Sequence, residues 1–339
     1  MTIAAATDIL SLPPPQIPAA EAQAFLAQAW GIEASAMSPL VSERDCNFRV
    51  ESPRGQFVLK FTNAGENPDV TAAQTAALMH LETVAPGLPV PRVMPALSGG
   101  VAQRHQGHTV RLLSWLDGLP LHQAPRGPDQ IRAIASAHGQ MADALSSFRF
   151  AGGDQHLQWD IQHALSLREN LAAVGEGREK VARLLDCFAR HASPQLPHLR
   201  RQFGHNDLNP YNLLLDPADP GRLAGILDFG DMVRTPVACE LAVGIAYHCG
   251  SPQALENAAL YLAAFTRHMP VTDAELAILP ELIMARLCTT IVITSWRAAA
   301  MPENRDYILR NQPAAWAGMA ALLDLPREHI IETLAEARA

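Results

Sequence analysis

Residues 204–212 read GHNDLNPYN, a polar stretch between two apolar runs, and residues 213–232 continue as LLLDPADPGRLAGILDFGDM. The second segment holds an apolar strand, a Pro/Asp/Gly turn, a second apolar strand and then Asp228-Phe229-Gly230-Asp231, which predicts a β-hairpin with acidic residues at both mouths. Antiparallel pairing would return Asp228 to the end of the ribbon where His205, Asp207 and Asn212 enter, so oxygen-bearing side chains converge there. Asn, Asp and Pro also form turns for backbone reasons alone. That bland reading explains either segment singly and explains their order much less well.

The order H-x-D-x-x-x-x-N, a hairpin-length segment and D-F-G is what transfer of a γ-phosphoryl group from ATP requires: hard oxygen ligands for Mg²⁺ and a carboxylate that orients the acceptor hydroxyl and takes its proton. In this reading Asp207 is the base, Asn212 and Asp228 hold the metal, and His205 packs the loop.

A chain of 339 residues, 48% hydrophobic and 18% charged, is long enough for two lobes with cores of their own. Its net charge of −8 and the lack of any Lys/Arg run argue against nucleic acid or an anionic membrane as a partner and suit a cationic small molecule. The five cysteines (Cys46, Cys187, Cys239, Cys249, Cys288) form no C-x-x-C pair and read as reduced, cytoplasmic thiols. The amino terminus has neither a basic n-region nor an 18-residue apolar span, so neither a signal peptide nor a membrane helix is expected there.

Three regions are expected: a proline-containing loose arm over 1–19, a small lobe of short helices and strands over 20–115, and a mostly helical lobe over 116–339. Residues 19–32 read as a helix stopped by Gly31, 47–63 as a hairpin around Ser-Pro-Arg-Gly, and 68–84 as a helix with Pro in its first turn. HTVRLLSWLDGLPL (108–121) reads as a strand running into a connector.

With these motifs in place, the sequence resembles the aminoglycoside phosphotransferase and choline kinase superfamily, and within it the hydroxylysine kinase-like branch. The resemblance spans about residues 20–300 and rests on LVSERDCNFRV (40–50), FVLKF (57–61), VRLLSWLDG (110–118), LQWDIQHALSLREN (157–170), DFGDMVRTPVACELAVGIAY (228–247) and ARLCTTIVITSWRA (285–298). It implies an α+β, bilobal protein-kinase-like fold, with an antiparallel sheet in the small N-terminal lobe and a mostly helical C-terminal lobe. It also implies Lys60 as the nucleotide lysine, and Ser42 with the backbone near Asn47 and Phe48 as a phosphate-covering turn, although no G-x-G-x-x-G is present. Trp159, Asp160, Asp231 and Arg286 become candidates for the acceptor site.

One departure stands out. The superfamily pairs its lysine with a glutamate on the following helix, and local alignment places Ala72 there. The expected activity is ATP- and Mg²⁺-dependent phosphorylation of a hydroxyl on a small amine-bearing metabolite, a hydroxylysine-like amino alcohol or hydroxy amino acid. An aminoglycoside acceptor comes next, and a nucleotide-binding pseudokinase, motivated by Ala72, is the alternative of a different class.

Overall fold

The computed structural model describes residues 13–42 and 44–338, so the expected arm is seen only from Pro13, and Glu43 of the LVSERD segment lies outside the described residues. The chain divides into two compact units. One runs to Asp117 and takes in Arg149–Gly153; the other comprises Gly118–Phe148 and the chain from Asp154 onward.

The first unit begins with α1 (Ala19–Trp30), which ends where Gly31 turns left-handed at φ 63°. Strands β1 (Ala36–Leu40), β2 (Cys46–Ser52) and β3 (Gly55–Phe61) follow, then α2 (Pro68–Val84), β4 (Val93–Met94), β5 (Gln103–His105) and β6 (His108–Ser114). They form an antiparallel sheet in the order β1-β2-β3-β6-β4, with β5 also on β6. Helix α2 starts as its sequence dictates: Asn67 caps the amide of Asp69 and Pro68 takes the first turn.

Register sorts the side chains of this sheet. Phe48, Leu59 and Leu112 are paired across three strands, and with Phe61, Val110, Leu26 and Trp30 they build the buried core against α1. Asn47, Lys60 and Arg111 form the adjacent row and therefore share the opposite face. Of the expected arm, Ile17 packs into the core and the carbonyl of Pro13 accepts a hydrogen bond from Asn63 Nδ2 at 3.0 Å.

The second unit is mostly helical. It contains β7 (Leu119–Pro120), α3 (Pro128–Ser146), α4 (Arg178–His191), β8 (Arg201–Gly204), β9 (Leu213–Leu215), β10 (Leu223–Ile226) and β11 (Val233–Pro236). The helices α5 (Val237–Ala246), α6 (Ala254–Phe265), α7 (Asp273–Leu276), α8 (Leu279–Ala300), α9 (Arg305–Leu309), α10 (Gln312–Leu322) and α11 (Arg327–Arg338) complete it. The segment expected as an acceptor-side helix forms consecutive 3₁₀ turns over Ile161–Ala173. Helix α8 is long and apolar enough to cross a bilayer, but 83% of its apolar window is buried inside the unit, which makes it the central core helix.

Two short ladders position the polar loop. The predicted hairpin is present as β9–β10, with Leu213 opposite Ile226 and the Leu227 amide bonded to the Asn212 carbonyl at 2.7 Å. A second ladder, β8–β11, sets Gly204 opposite Val233. The chain thus leaves β8 into GHNDLNPYN and leaves β10 into DFGD, and both segments are pinned at each end by paired strands.

Candidate active site

Four donors surround the Asp207 carboxylate. Asn209 Nδ2 and Asn212 Nδ2 donate to Oδ2 at 2.7 and 2.8 Å, and Arg286 Nη2 and the Tyr247 hydroxyl donate to Oδ1 at 3.2 and 3.3 Å. Asn212 Nδ2 also donates to the Asp207 carbonyl at 3.0 Å, which fixes the amide so that its Oδ1 is left to accept. Burial, reinforced by the negative charge of Asp231 and opposed by Arg286 and His205, pushes the Asp207 carboxyl up to about 6. His205 bridges the two segments. Its Nδ1 accepts the Asp207 amide at 3.3 Å, its Nε2 meets the Leu227 carbonyl at 2.8 Å, and its ring lies edge-on to Phe229 at 4.7 Å. The histidine is thereby committed to structure.

The anchor of this loop is a residue that the motif does not contain. Glu240, buried on α5, accepts the amides of His205 at 3.1 Å and Asn206 at 2.7 Å, and pairs with His138 Nε2 at 3.0 Å. His138 is held in turn by the Tyr261 hydroxyl at 2.8 Å. Burial pushes the Glu240 carboxyl up, but His138, His205 and the Asn206 amide outweigh it and hold the group below its ordinary value. A Cβ at Gly204 would lie 2.5 Å from Glu240 Oε2, so the first residue of GHNDLNPYN must be glycine for the carboxylate to reach the loop. The signal for Glu240 was a lone acid in an otherwise apolar helix.

Asn206 and Asp228 are two of the three non-glycine residues with positive φ among the described residues, at 62° and 55°. Both side chains tolerate the left-handed region better than most, and Asp228 steadies its turn by accepting the Gly230 amide at 3.1 Å. The Asn206 side-chain amide is fully buried, and neither its Oδ1 nor its Nδ2 is hydrogen-bonded to the described residues. We therefore expect Asn206→Gly to be less destabilising than Asn206→Ala, by about 1 kcal/mol, although it removes more of the side chain, because only glycine adopts this φ freely. Thermal unfolding of the two variants checks the order.

The acceptor-side candidates separate. Arg286 is buried on α8 with its guanidinium 5.2 Å from the Tyr247 ring and 5.5 Å from the Trp159 ring, and it donates to the Trp159 carbonyl at 3.0 Å and the Tyr247 hydroxyl at 2.5 Å. Trp159, Tyr247, Arg286 and Asp207 are therefore one connected cluster. Asp231 ends the 3₁₀ turn after Asp228, and its charge is felt by both Asp207 and Arg286. Asp160 does not belong there. It is 1% exposed, caps the Ile161–Ala173 segment through the Gln162 amide at 3.1 Å and accepts the Thr235 hydroxyl at 3.0 Å. Its carboxylate is spent on the fold, which corrects its assignment as an acceptor-binding group.

In the first unit, Lys60 Nζ lies 2.8 Å from Asp45 Oδ2, and Asp45 Oδ1 accepts the Asn63 amide at 3.0 Å. Burial pushes the Asp45 carboxyl up, but the Lys60 ammonium outweighs it and holds the group below its usual range. An acid that pairs with the lysine thus comes from the turn before β2. Ala72 itself is exposed on α2. Gln74 and Thr75 of that helix are buried and accept from the Arg111 guanidinium, each at 3.3 Å.

Phe48 requires a second correction. It is 3% exposed, on the face opposite Lys60, and its strand is flanked by β1 and β3, so side chain and amide are committed to core and ladder. Asn47, directly opposite Lys60, keeps a buried Oδ1 without a partner among the described residues, and the Ser42 hydroxyl accepts the Asp45 amide at 3.2 Å.

A polar loop and hairpin ending in D-F-G in a helical unit, with a lysine–carboxylate pair on an antiparallel sheet in another, define a phosphotransferase of the protein-kinase-like fold. Comparison with known proteins places it further. The chain belongs to the phosphotransferase enzyme family APH, whose model matches residues 38–275. It is similar to hydroxylysine kinase of Bos taurus, at 26% identity covering 95% of this chain and 93% of the relative. It is also similar to the Danio rerio protein of that name, at 27% identity covering 89% and 90%. Among solved structures, the microcompartment-associated aminopropanol kinase aligns with a TM-score of 0.68 at 17% identity, covering 87% of this chain and 94% of that one. Amicoumacin kinase in complex with AMP-PNP, Ca²⁺ and Ami aligns with a TM-score of 0.65 at 14% identity, covering 86% and 93%. The protein is a small-molecule kinase.

Proposed function

We propose that the protein transfers the γ-phosphoryl group of ATP to a hydroxyl of a small amine-bearing metabolite in the cytoplasm, with hydroxylysine or a related hydroxy amino acid or amino alcohol as acceptor. The observation that carries this reading is the Asp207 cluster, a carboxylate steered by Asn209 and Asn212 beside an acidic D-F-G-D turn. The hydroxylysine kinases that match over most of the chain support the acceptor class, the acidic balance of the chain suits a cationic acceptor, and the free cysteines suit a reducing cytoplasm.

In this mechanism Asp207 Oδ1 takes the proton of the acceptor hydroxyl, whose oxygen displaces the Tyr247 hydroxyl from its 3.3 Å contact. The new bond forms between that oxygen and the γ-phosphorus, the bond from the γ-phosphorus to the β,γ-bridging oxygen breaks, and ADP leaves. Asn212 Oδ1 and the Asp228 carboxylate fit Mg²⁺, being hard oxygen donors at adjoining chain ends, with the Asn212 amide held by Asp207. Mg²⁺, when bound, neutralises charge on the phosphates. Lys60, paired with Asp45, is the group for the α- and β-phosphates, with Asn47 and Ser42 as further nucleotide contacts.

The pairing of Lys60 with Asp45 supports a working enzyme over a nucleotide-binding pseudokinase, because it supplies an acid to the lysine although Ala72 stands at the helix position. Lys60→Ala is expected to raise the KM for ATP and lower kcat by about 10²-fold; steady-state kinetics at varied ATP check both. The acceptor reading is tested by assaying ADP release with Mg·ATP across hydroxylated amines and weighing the products. A mass gain of one phosphoryl group on hydroxylysine supports it, and turnover confined to aminoglycosides overturns it.

A further inference from the structure

The Arg310 guanidinium is held by rings alone. It lies 3.8 Å from the centroid of Tyr307 and 4.1 Å from that of Tyr211, and the Tyr211 ring is also stacked with His122 at 4.1 Å and 23°. No carboxylate, carbonyl or hydroxyl among the described residues accepts from its N–H groups, although the chain has 34 acidic residues against 26 basic ones. Glu303 and Asp306, on the same short stretch of chain, are both exposed. A guanidinium set against two rings, with N–H groups that no described residue accepts, is able to bind a planar anion through its N–H fork.

Its position is tied to the phosphotransfer loop. Tyr211 precedes Asn212, and its amide donates to Asn209 Oδ1 at 2.8 Å, while Asn209 Nδ2 donates to Asp207 at 2.7 Å. His122 is fixed to the same loop by its amide, which donates to the Pro210 carbonyl at 3.1 Å. Arg286, which contacts Asp207 directly, cannot serve. Arg286 is 2% exposed, and its terminal nitrogens are committed to Trp159, Tyr247 and Asp207.

We propose that Arg310, clamped between Tyr211 and Tyr307, binds the carboxylate of the acceptor, so that the enzyme acts on a hydroxy amino acid and discriminates against the amino alcohol that lacks the carboxylate. This rests on the phosphotransferase reading above and narrows it. A purely cationic amino alcohol gains nothing from a fixed guanidinium and is repelled by it, whereas a zwitterion offers that cation its counter-charge.

The test compares 5-hydroxylysine with its decarboxylated counterpart, 1,5-diaminopentan-2-ol, on wild type, Arg310→Gln and Arg310→Lys. Wild type is expected to favour hydroxylysine in kcat/KM. Arg310→Gln is expected to raise the KM for hydroxylysine about 10- to 100-fold and leave that for the diamine within a few-fold, with Arg310→Lys between. Retained turnover of the diamine shows that the variant is folded. The proposal is overturned if Arg310→Gln weakens both acceptors equally, as a mere brace for Tyr211 would, or changes only the KM for ATP, as a contact to nucleotide phosphate would. Equal use of both acceptors by wild type overturns the carboxylate assignment and leaves the phosphotransferase reading standing; turnover of neither overturns both.

Discussion

Asp207→Asn is expected to lower kcat by about 10²- to 10⁴-fold while leaving ATP affinity nearly unchanged. Asparagine keeps an oxygen that can accept from Arg286 or from Asn212, but it cannot take a proton. The fold should not suffer. Burial and the nearby charge of Asp231 push the Asp207 carboxyl up to about 6 from an ordinary 3.8, so between those values the folded state binds more protons than the unfolded one. Stability from this group therefore falls as pH rises through that window, and at pH above it the ionised carboxylate is a burden that asparagine relieves. The thermal midpoint of the variant at neutral pH is expected to be unchanged or higher. A variant that turns over as fast as wild type would remove Asp207 from the chemistry.

Glu240→Gln should act on the fold first and on activity through it. The glutamate is 2% exposed and accepts from His138 and from the amides of His205 and Asn206. A glutamine would turn one NH₂ toward these donors, and breaking such a buried charged set costs about 3–5 kcal/mol. The pH dependence carries the opposite sign to that of Asp207. The Glu240 carboxyl is held below its ordinary 4.5, so its contribution is complete above that value and is lost as pH falls through the depressed folded value. Urea unfolding midpoints from neutral pH down into that acid range should fall for wild type and show a smaller acid loss in Glu240→Gln. Equal slopes would contradict the clamp.

The hairpin and D-F-G turn were legible because alternation, a Pro/Asp/Gly turn and chemical order all point the same way, and the structure returns Leu213 opposite Ile226. Helix α1 was legible for a similar reason, Gly31 stopping an Ala- and Leu-containing helix. What failed were statements about which way one side chain faces. Asp160 looked like a ligand beside Trp159, yet an acid immediately before a helical segment is also an N-cap, and burial against Thr235 decided it. Phe48 sits one residue from Asn47, and a single step along a strand changes the face. The Lys60–Asp45 pair and the Asp207–Arg286 contact join residues 15 and 79 positions apart, set by register and helix packing that periodicity does not contain. Glu240 left a trace as the single charge in the apolar helix α5, a costly placement unless something holds it.

The stoichiometry of ATP and acceptor tests the central claim most directly. Wild-type protein with Mg·ATP and 5-hydroxylysine should produce one phosphorylated hydroxylysine for each ADP formed, read by mass and by phosphorus NMR, and Asp207→Asn should produce almost none. ADP matched by free phosphate with no phosphorylated acceptor, or tight ATP binding without turnover, would contradict the account.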